Sequence, residues 1–128
     1  MKIGQKNQLK IVVSKSDTAK SVGSGVLDVL ATPRMIALME ECSYKLIAPY
    51  LEEGSSSVGT LINAKHVSAT PVGMEVYAES EIIEIDGRRV VFSVKAYDEK
   101  GLIGEGKHER FIILSERFLS KTYQKLEK

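Results

Sequence analysis

The chain has 128 residues, 43% hydrophobic and 27% charged, with 18 Lys and Arg against 17 Asp and Glu. That length fits one domain, 1–128, with its own core but little room for an enclosed site, so a site shared between subunits is expected. Near-neutral charge without a basic stripe interleaved with aromatics excludes a nucleic-acid partner, and no apolar run approaches the roughly 20 residues of a membrane span. The lysine-bearing N-terminus has no apolar signal segment after it, and the single Cys42 allows neither an intrachain disulfide nor a cysteine metal cluster, so a soluble cytoplasmic protein is expected.

In chain order, Gln8 to Val13 reads as a short strand and Ser14 to Gly25, rich in Ser, Gly and Lys, as a loop from which any lid would come. Pro33 to Leu51 is the strongest helix, with Thr32 suited to its N-cap and Pro33 to its first position, where a missing N–H costs nothing. Pro49 is expected to kink or tighten the last turn. Past the polar turn at Gly54 the period becomes alternating, giving strands over Val58 to Ala69, Glu75 to Ile85, Arg88 to Tyr97 and Leu102 to Leu114. Pro71-Val72-Gly73, Asp86-Gly87 and Asp98 to Gly101 supply the turns between them, with Asp86-Gly87 the clearest hairpin signal. Ser115 to Lys128 has helical spacing at Phe118, Leu119 and Tyr123. Short connections imply antiparallel neighbours, so the expected product is an α+β fold in which one curved antiparallel sheet wraps a long helix.

Three polar residues stand out against this pattern. Met35, Met39, Cys42 and Leu46 centre the apolar stripe of the helix, and Glu40 lies at its margin, with no compensating charge at Ile36, Ser43 or Ile47 on its own face. A carboxylate there either reaches water or needs a donor from another element. Glu41, by contrast, is ordinary, with Lys45 one turn on. His66 shares strand parity with Val58, Thr60, Ile62 and Ala64, opposite to Asn63 and Lys65, and so points toward the helix, as a satisfied core histidine or as an acid/base that faces Glu40. Thr32 is a simple cap, or a hydroxyl held beside helix-terminal N–H groups that favour developing negative charge. Gly59, inside a strand, permits close backbone approach to a ligand.

Other patterns fall away. Gly101 to Lys107 has the glycine and lysine spacing of a phosphate loop, but His108 replaces its Ser or Thr and a strand follows. His66, His108, Glu109 and Glu40 lack metal-ligand spacing, so no metal and no cofactor are expected. Cys42, between Met39 and Leu46, reads as core.

Val29-Leu-Ala-Thr-Pro-Arg-Met-Ile-Ala-Leu-Met-Glu40, Ala48-Pro-Tyr-Leu51, Val58-Gly-Thr60, Lys65-His-Val-Ser-Ala-Thr-Pro71 and Gly106-Lys-His-Glu-Arg110 resemble, in order and over about Leu27 to Leu114, the hot-dog-fold acyl-CoA thioesterases of the fluoroacetyl-CoA thioesterase type. The resemblance implies a long helix wrapped by an antiparallel sheet, assembly as a homodimer with a tetramer left open, and hydrolysis of an acyl-CoA substrate. It places the catalytic triad on Thr32, Glu40 and His66, with Glu40 as nucleophile or general base, His66 as acid/base and Thr32 orienting. It places substrate-side roles on Gly59 and Thr60 and supporting roles on His108 and Arg110. Ser14 to Asp28 departs from the phenylalanine-bearing lid of that type, being shorter and without an aromatic residue, and Pro33 replaces a small residue after the threonine. The competing readings are a hot-dog enoyl-CoA hydratase and an acyl-CoA-binding module without turnover.

Overall fold

The computed structural model describes residues 1–128. Five strands, β1 (Lys6–Val12), β2 (Ser55–His66), β3 (Glu75–Asp86), β4 (Arg89–Asp98) and β5 (Gly101–Leu114), form one sheet in the order β1-β3-β4-β5-β2. Every neighbouring pair is antiparallel. β3 and β4 close over Gly87-Arg88, one residue later than the Asp86-Gly87 signal, with Asp86 paired to Arg89 and Gly87 at φ 59°. A primed two-residue turn needs that positive φ, which glycine adopts without strain.

Against this sheet lies helix α2 (Thr32–Ile47), continued by one tight turn over Ala48–Tyr50 where Pro49 cannot extend the helical ladder. Met35, Leu38, Met39 and Cys42, all fully buried, face Val76, Ala78, Ile82, Phe92, Val94 and Ala96 in a single core. Gly104 lets the helix come this close, since a Cβ there would sit 2.5 Å from Met35 Sδ. Truncating any of the buried helix residues Met35, Leu38 or Met39 to Ala is expected to cost about 2–5 kcal/mol. A last helix, α3 (Ser115–Tyr123), follows β5.

Three details differ from the sequence expectation. Ser14 to Gly25 is not an open loop. It forms a short turn over Lys15–Asp17 and helix α1 (Ala19–Val22), fastened to the start of α2 by Arg34 Nε and Asp17 Oδ1 at 2.9 Å and by Thr18 bridged to Leu30. Thr32 is not the N-cap of α2. Ala31 holds that position without a side-chain bond, and Thr32 is the first helical residue with its hydroxyl free to point elsewhere. Finally, β2 starts at Ser55 and carries an irregularity between Gly59 and Leu61, where Gly59 pairs with Arg110 and Leu61 already with Glu109. One extra residue there reverses the strand's parity. Gly59, not Val58 or Thr60, therefore shares the helix-facing side with Ile62, Ala64 and His66.

Candidate active site

The residues singled out in the sequence gather at two points along β2. At its C-terminal end, His66 Nδ1 and Thr32 Oγ1 lie 2.8 Å apart. The helix start presents the hydroxyl because Ala31 is the cap, and regular alternation from Ile62 through Ala64 brings His66 inward to meet it. The other ring nitrogen, His66 Nε2, is buried and has no hydrogen-bond partner. Burial holds the imidazolium below the ordinary histidine value, partly opposed by the Ser68 backbone, so His66 is neutral at physiological pH with an unused nitrogen. Around this pair is a cleft of about 290 Å³ lined by small and aliphatic side chains including Ala19, Val29, Leu30 and Val67, with no aromatic residue.

The second point lies two turns along α2. Glu40 Oε2, His108 Cε1 and Arg110 Nη1 surround Gly59 at 3.3, 3.1 and 3.4 Å from where a Cβ would be. Only glycine leaves this space open. His108, 1% exposed, has a single consistent state: Nδ1–H donates to the Leu61 carbonyl at 2.8 Å, and Nε2 accepts from Arg110 Nη1 at 3.1 Å. Burial and then the neighbouring guanidinium push its pKa down, which keeps it neutral in that role. Arg110 is held further by Nε to Ser57 Oγ at 2.8 Å and Nη2 to the Ser57 carbonyl at 2.9 Å, and its plane lies over Tyr44. A buried guanidinium fixed on three sides thus faces the Glu40 carboxylate across Gly59.

These two points do not meet within one protomer. Thr32 and Glu40 are separated by eight helical residues, about 12 Å of rise, and Gly59 and His66 by seven strand residues, roughly 20 Å. Thr60 joins neither point, its hydroxyl donating to the Glu109 carbonyl at 3.2 Å. Ser57 and Tyr44 were not legible as site residues, because their role follows from the β2–β5 register and the helix position. No group of three or more His, Cys, Asp or Glu side chains converges as metal ligands do. No helix is long and apolar enough to cross a membrane.

Both points lie on β2, which has β5 on one side and nothing on the other. The opposite edge, β1, carries Lys6 and Lys10, paired with Glu81 and Glu75, the charged blunting usual for an edge that stays unpaired. β2 instead exposes Gly59 and Leu61 midway along its length.

Residues 13–116 match the fluoroacetyl-CoA-specific thioesterase family. The fluoroacetyl-CoA thioesterase of Streptantibioticus cattleyicolor is 43% identical over 98 residues, 77% of this chain and 70% of that protein. The chain belongs to the fluoroacetyl-CoA-specific thioesterase family. Solved structures agree with this membership. That of the fluoroacetyl-CoA thioesterase FlK superposes with a TM-score of 0.94 at 36% identity, covering 98% of this chain and 97% of that one. A FlK variant in complex with fluoroacetate and CoA gives 0.88 at 35% identity, covering 92% and 99%. The curved sheet around a helix is therefore the hot-dog fold of these thioesterases.

Proposed function

We propose that this chain hydrolyses acyl-CoA thioesters to the free acid and CoA at a site assembled from two copies, with Glu40 of one protomer and the Thr32–His66 pair of the other. The observation that carries the reading is the division of the site between two points on a strand whose outer edge is open. An antiparallel β2–β2 pair with its two-fold axis at Asn63, and with the extra residue of each bulge left unpaired, sets His66 of one copy opposite Gly59 of the other, both on the helix-facing side. The homodimer then has two such sites and one continuous sheet.

In this site Glu40 attacks the thioester carbonyl to give a transient anhydride, or directs a water to the same carbon. The C–S bond breaks as the CoA thiolate leaves. In the anhydride route a water then opens the anhydride, releasing the acid and regenerating Glu40. In either route neutral His66, its Nε2 unpartnered and its Nδ1 oriented by Thr32, takes the proton of the attacking water and passes it to the CoA sulfur. The Gly59 backbone, with Arg110 behind it, stabilises the oxyanion, a contribution on the order of a hundredfold per donor in acyl-transfer sites. The small aliphatic cleft at Thr32 and His66 suits a short acyl group such as the fluoroacetyl unit named for the relatives.

Purified protein is incubated with acetyl-, fluoroacetyl-, butyryl- and benzoyl-CoA while free thiol is followed. Thiol release favouring the short aliphatic substrates, with Glu40→Gln and His66→Ala each losing most turnover and keeping the wild-type melting profile, is the expected result. Hydration of an enoyl-CoA without thiol release identifies a hydratase. Binding without either product identifies a carrier module. A single turnover in ¹⁸O-water tests the nucleophilic role of Glu40: ¹⁸O in the Glu40 side chain with an unlabelled first acid shows an anhydride opened at the glutamyl carbon.

A further inference from the structure

A cavity of about 530 Å³ lies outside the site described above, between α3 and the β3–β4 turn. Its helix wall is the stripe Arg117, Ser120, Lys121 and Gln124, at the i, i+3, i+4 and i+7 spacing of one face. Arg88 closes it from the turn, Phe118 and Leu114 provide an apolar surface, and no carboxylate lines it. This reverses the usual arrangement of a surface helix, in which the apolar face turns inward: Leu119, Tyr123 and Leu126 are exposed to solvent, while the cationic face looks into the cavity.

The arginines sharpen the point. Of the five in the chain, Arg34 is paired with Asp17, Arg89 with Glu84 and Glu109, and Arg110 with Ser57 and His108. The two without a side-chain partner are Arg88 and Arg117, and both face this cavity. Three uncompensated cations converging beside an aromatic ring form a receptor for a polyanion with a flat ring, because guanidinium groups match phosphate oxygens bidentately.

The cavity is also connected to the Glu40 point. It shares Arg88 and Leu114 with a groove that includes Leu51 and Ser55, and these two residues line the next depression, which ends at Ser57 and Arg110. Glu52 is the one acidic side chain along that path. From Arg110 to Leu114 is four strand residues, about 13 Å, within the reach of an extended pantetheine arm.

We propose that this cavity binds the phosphate-bearing adenine nucleotide end of CoA, with Arg88, Arg117 and Lys121 on the phosphates and the pantetheine arm along the Ser55–Ser57 groove. The proposal rests on the acyl-CoA reading above and assigns the part of the ligand remote from the reacting bond.

Calorimetric titration with CoA and with pantetheine, which lacks the nucleotide and its phosphates, tests it without requiring turnover. Wild-type protein is expected to bind CoA at least tenfold more tightly than pantetheine, with the advantage falling as salt is raised. In the Arg88→Gln/Arg117→Gln variant that advantage is expected to vanish while pantetheine binding is unchanged. Lys95→Gln/Lys100→Gln, which removes the same charge at the far end of the sheet, is expected to leave it intact. Equal affinity of the wild type for the two ligands, absence of CoA binding, or an equal loss in both double variants overturns the assignment. Because thiol release is measured separately, an inactive protein that discriminates CoA from pantetheine through Arg88 and Arg117 refutes the hydrolase reading and leaves this one standing.

Discussion

Thr32 Oγ1 and His66 Nδ1 lie 2.8 Å apart, joining the first residue of the helix to the last residue of the edge strand. The contact fixes which ring nitrogen of His66 is left for chemistry. It depends on the hydroxyl and not on helix capping, since Ala31 is the cap. Thr32→Val, nearly the same shape without the hydrogen bond, is expected to lower kcat by about 10²-fold or more, within the range of positioned acid–base catalysis. Thr32→Ser is expected to keep most of the activity. Wild-type turnover in Thr32→Val with a loss in Thr32→Ser, read from steady-state thiol release, would show that the methyl group matters and the hydroxyl does not.

The pH profile follows from the burial of His66. Its pKa lies below the ordinary value of about 6.5, so the neutral imidazole persists into mildly acidic solution. The acid limb of kcat/KM is expected to fall below pH 6.5 and to be absent from the residual activity of His66→Ala. An acid limb centred above pH 7 in the wild type contradicts this.

His108 gives a stability signature of the same sign. Its native pKa is lowered, first by burial and then by Arg110, whereas in the unfolded chain it titrates near about 6.5, so below that pH the unfolded state binds the extra proton. The stabilisation it brings is complete above pH 6.5 and is lost as pH falls toward the native value. Urea unfolding at pH 8 and pH 5 is expected to show His108→Gln destabilised most at pH 8, with the gap to the wild type narrowing at pH 5.

At Gly59 the backbone is not in the left-handed region, so substitution acts through space alone. A Cβ 3.1 Å from His108 and 3.3 Å from Glu40 crowds both, and overpacking of this kind costs about 1–3 kcal/mol. Gly59→Ala is expected to fold with a modestly lowered Tm and to lose more than tenfold in kcat, because the added methyl stands where the thioester oxygen must approach. Unchanged turnover in this variant would remove Gly59 from the site.

Much of this arrangement was legible in the chain. The helix stripe of Met35, Met39, Cys42 and Leu46, the effect of Pro49 and four antiparallel strands follow from period and turn chemistry, and each has its place in the fold. The parity of β2 was not, because one extra residue between Gly59 and Leu61 shifts it, and a strand-interior glycine is the only local sign of such a bulge. Nor was the ordered Ser14 to Gly25 segment, whose anchor is a long-range pair between Asp17 and Arg34. The separation of Glu40 from His66 is a matter of three-dimensional distance. Pattern puts both on the inward side without saying how far apart along the strand the helix meets each of them.

Arg110 links the fold to the site. Replacing it with Ala leaves His108 Nε2 and the Ser57 carbonyl without a donor, and each unsatisfied buried group costs about 1–3 kcal/mol, so a clear fall in the urea midpoint is expected along with loss of turnover.

The claim that one site draws on two protomers is tested most directly by subunit mixing. Glu40→Gln and His66→Ala proteins, each inactive alone, are unfolded together, refolded and assayed for thiol release. If Glu40 and His66 act across the two-fold axis, half of the dimers are mixed and one of the two sites in each is intact, restoring about a quarter of wild-type activity. No recovery from a mixture shown to contain mixed dimers would contradict the account.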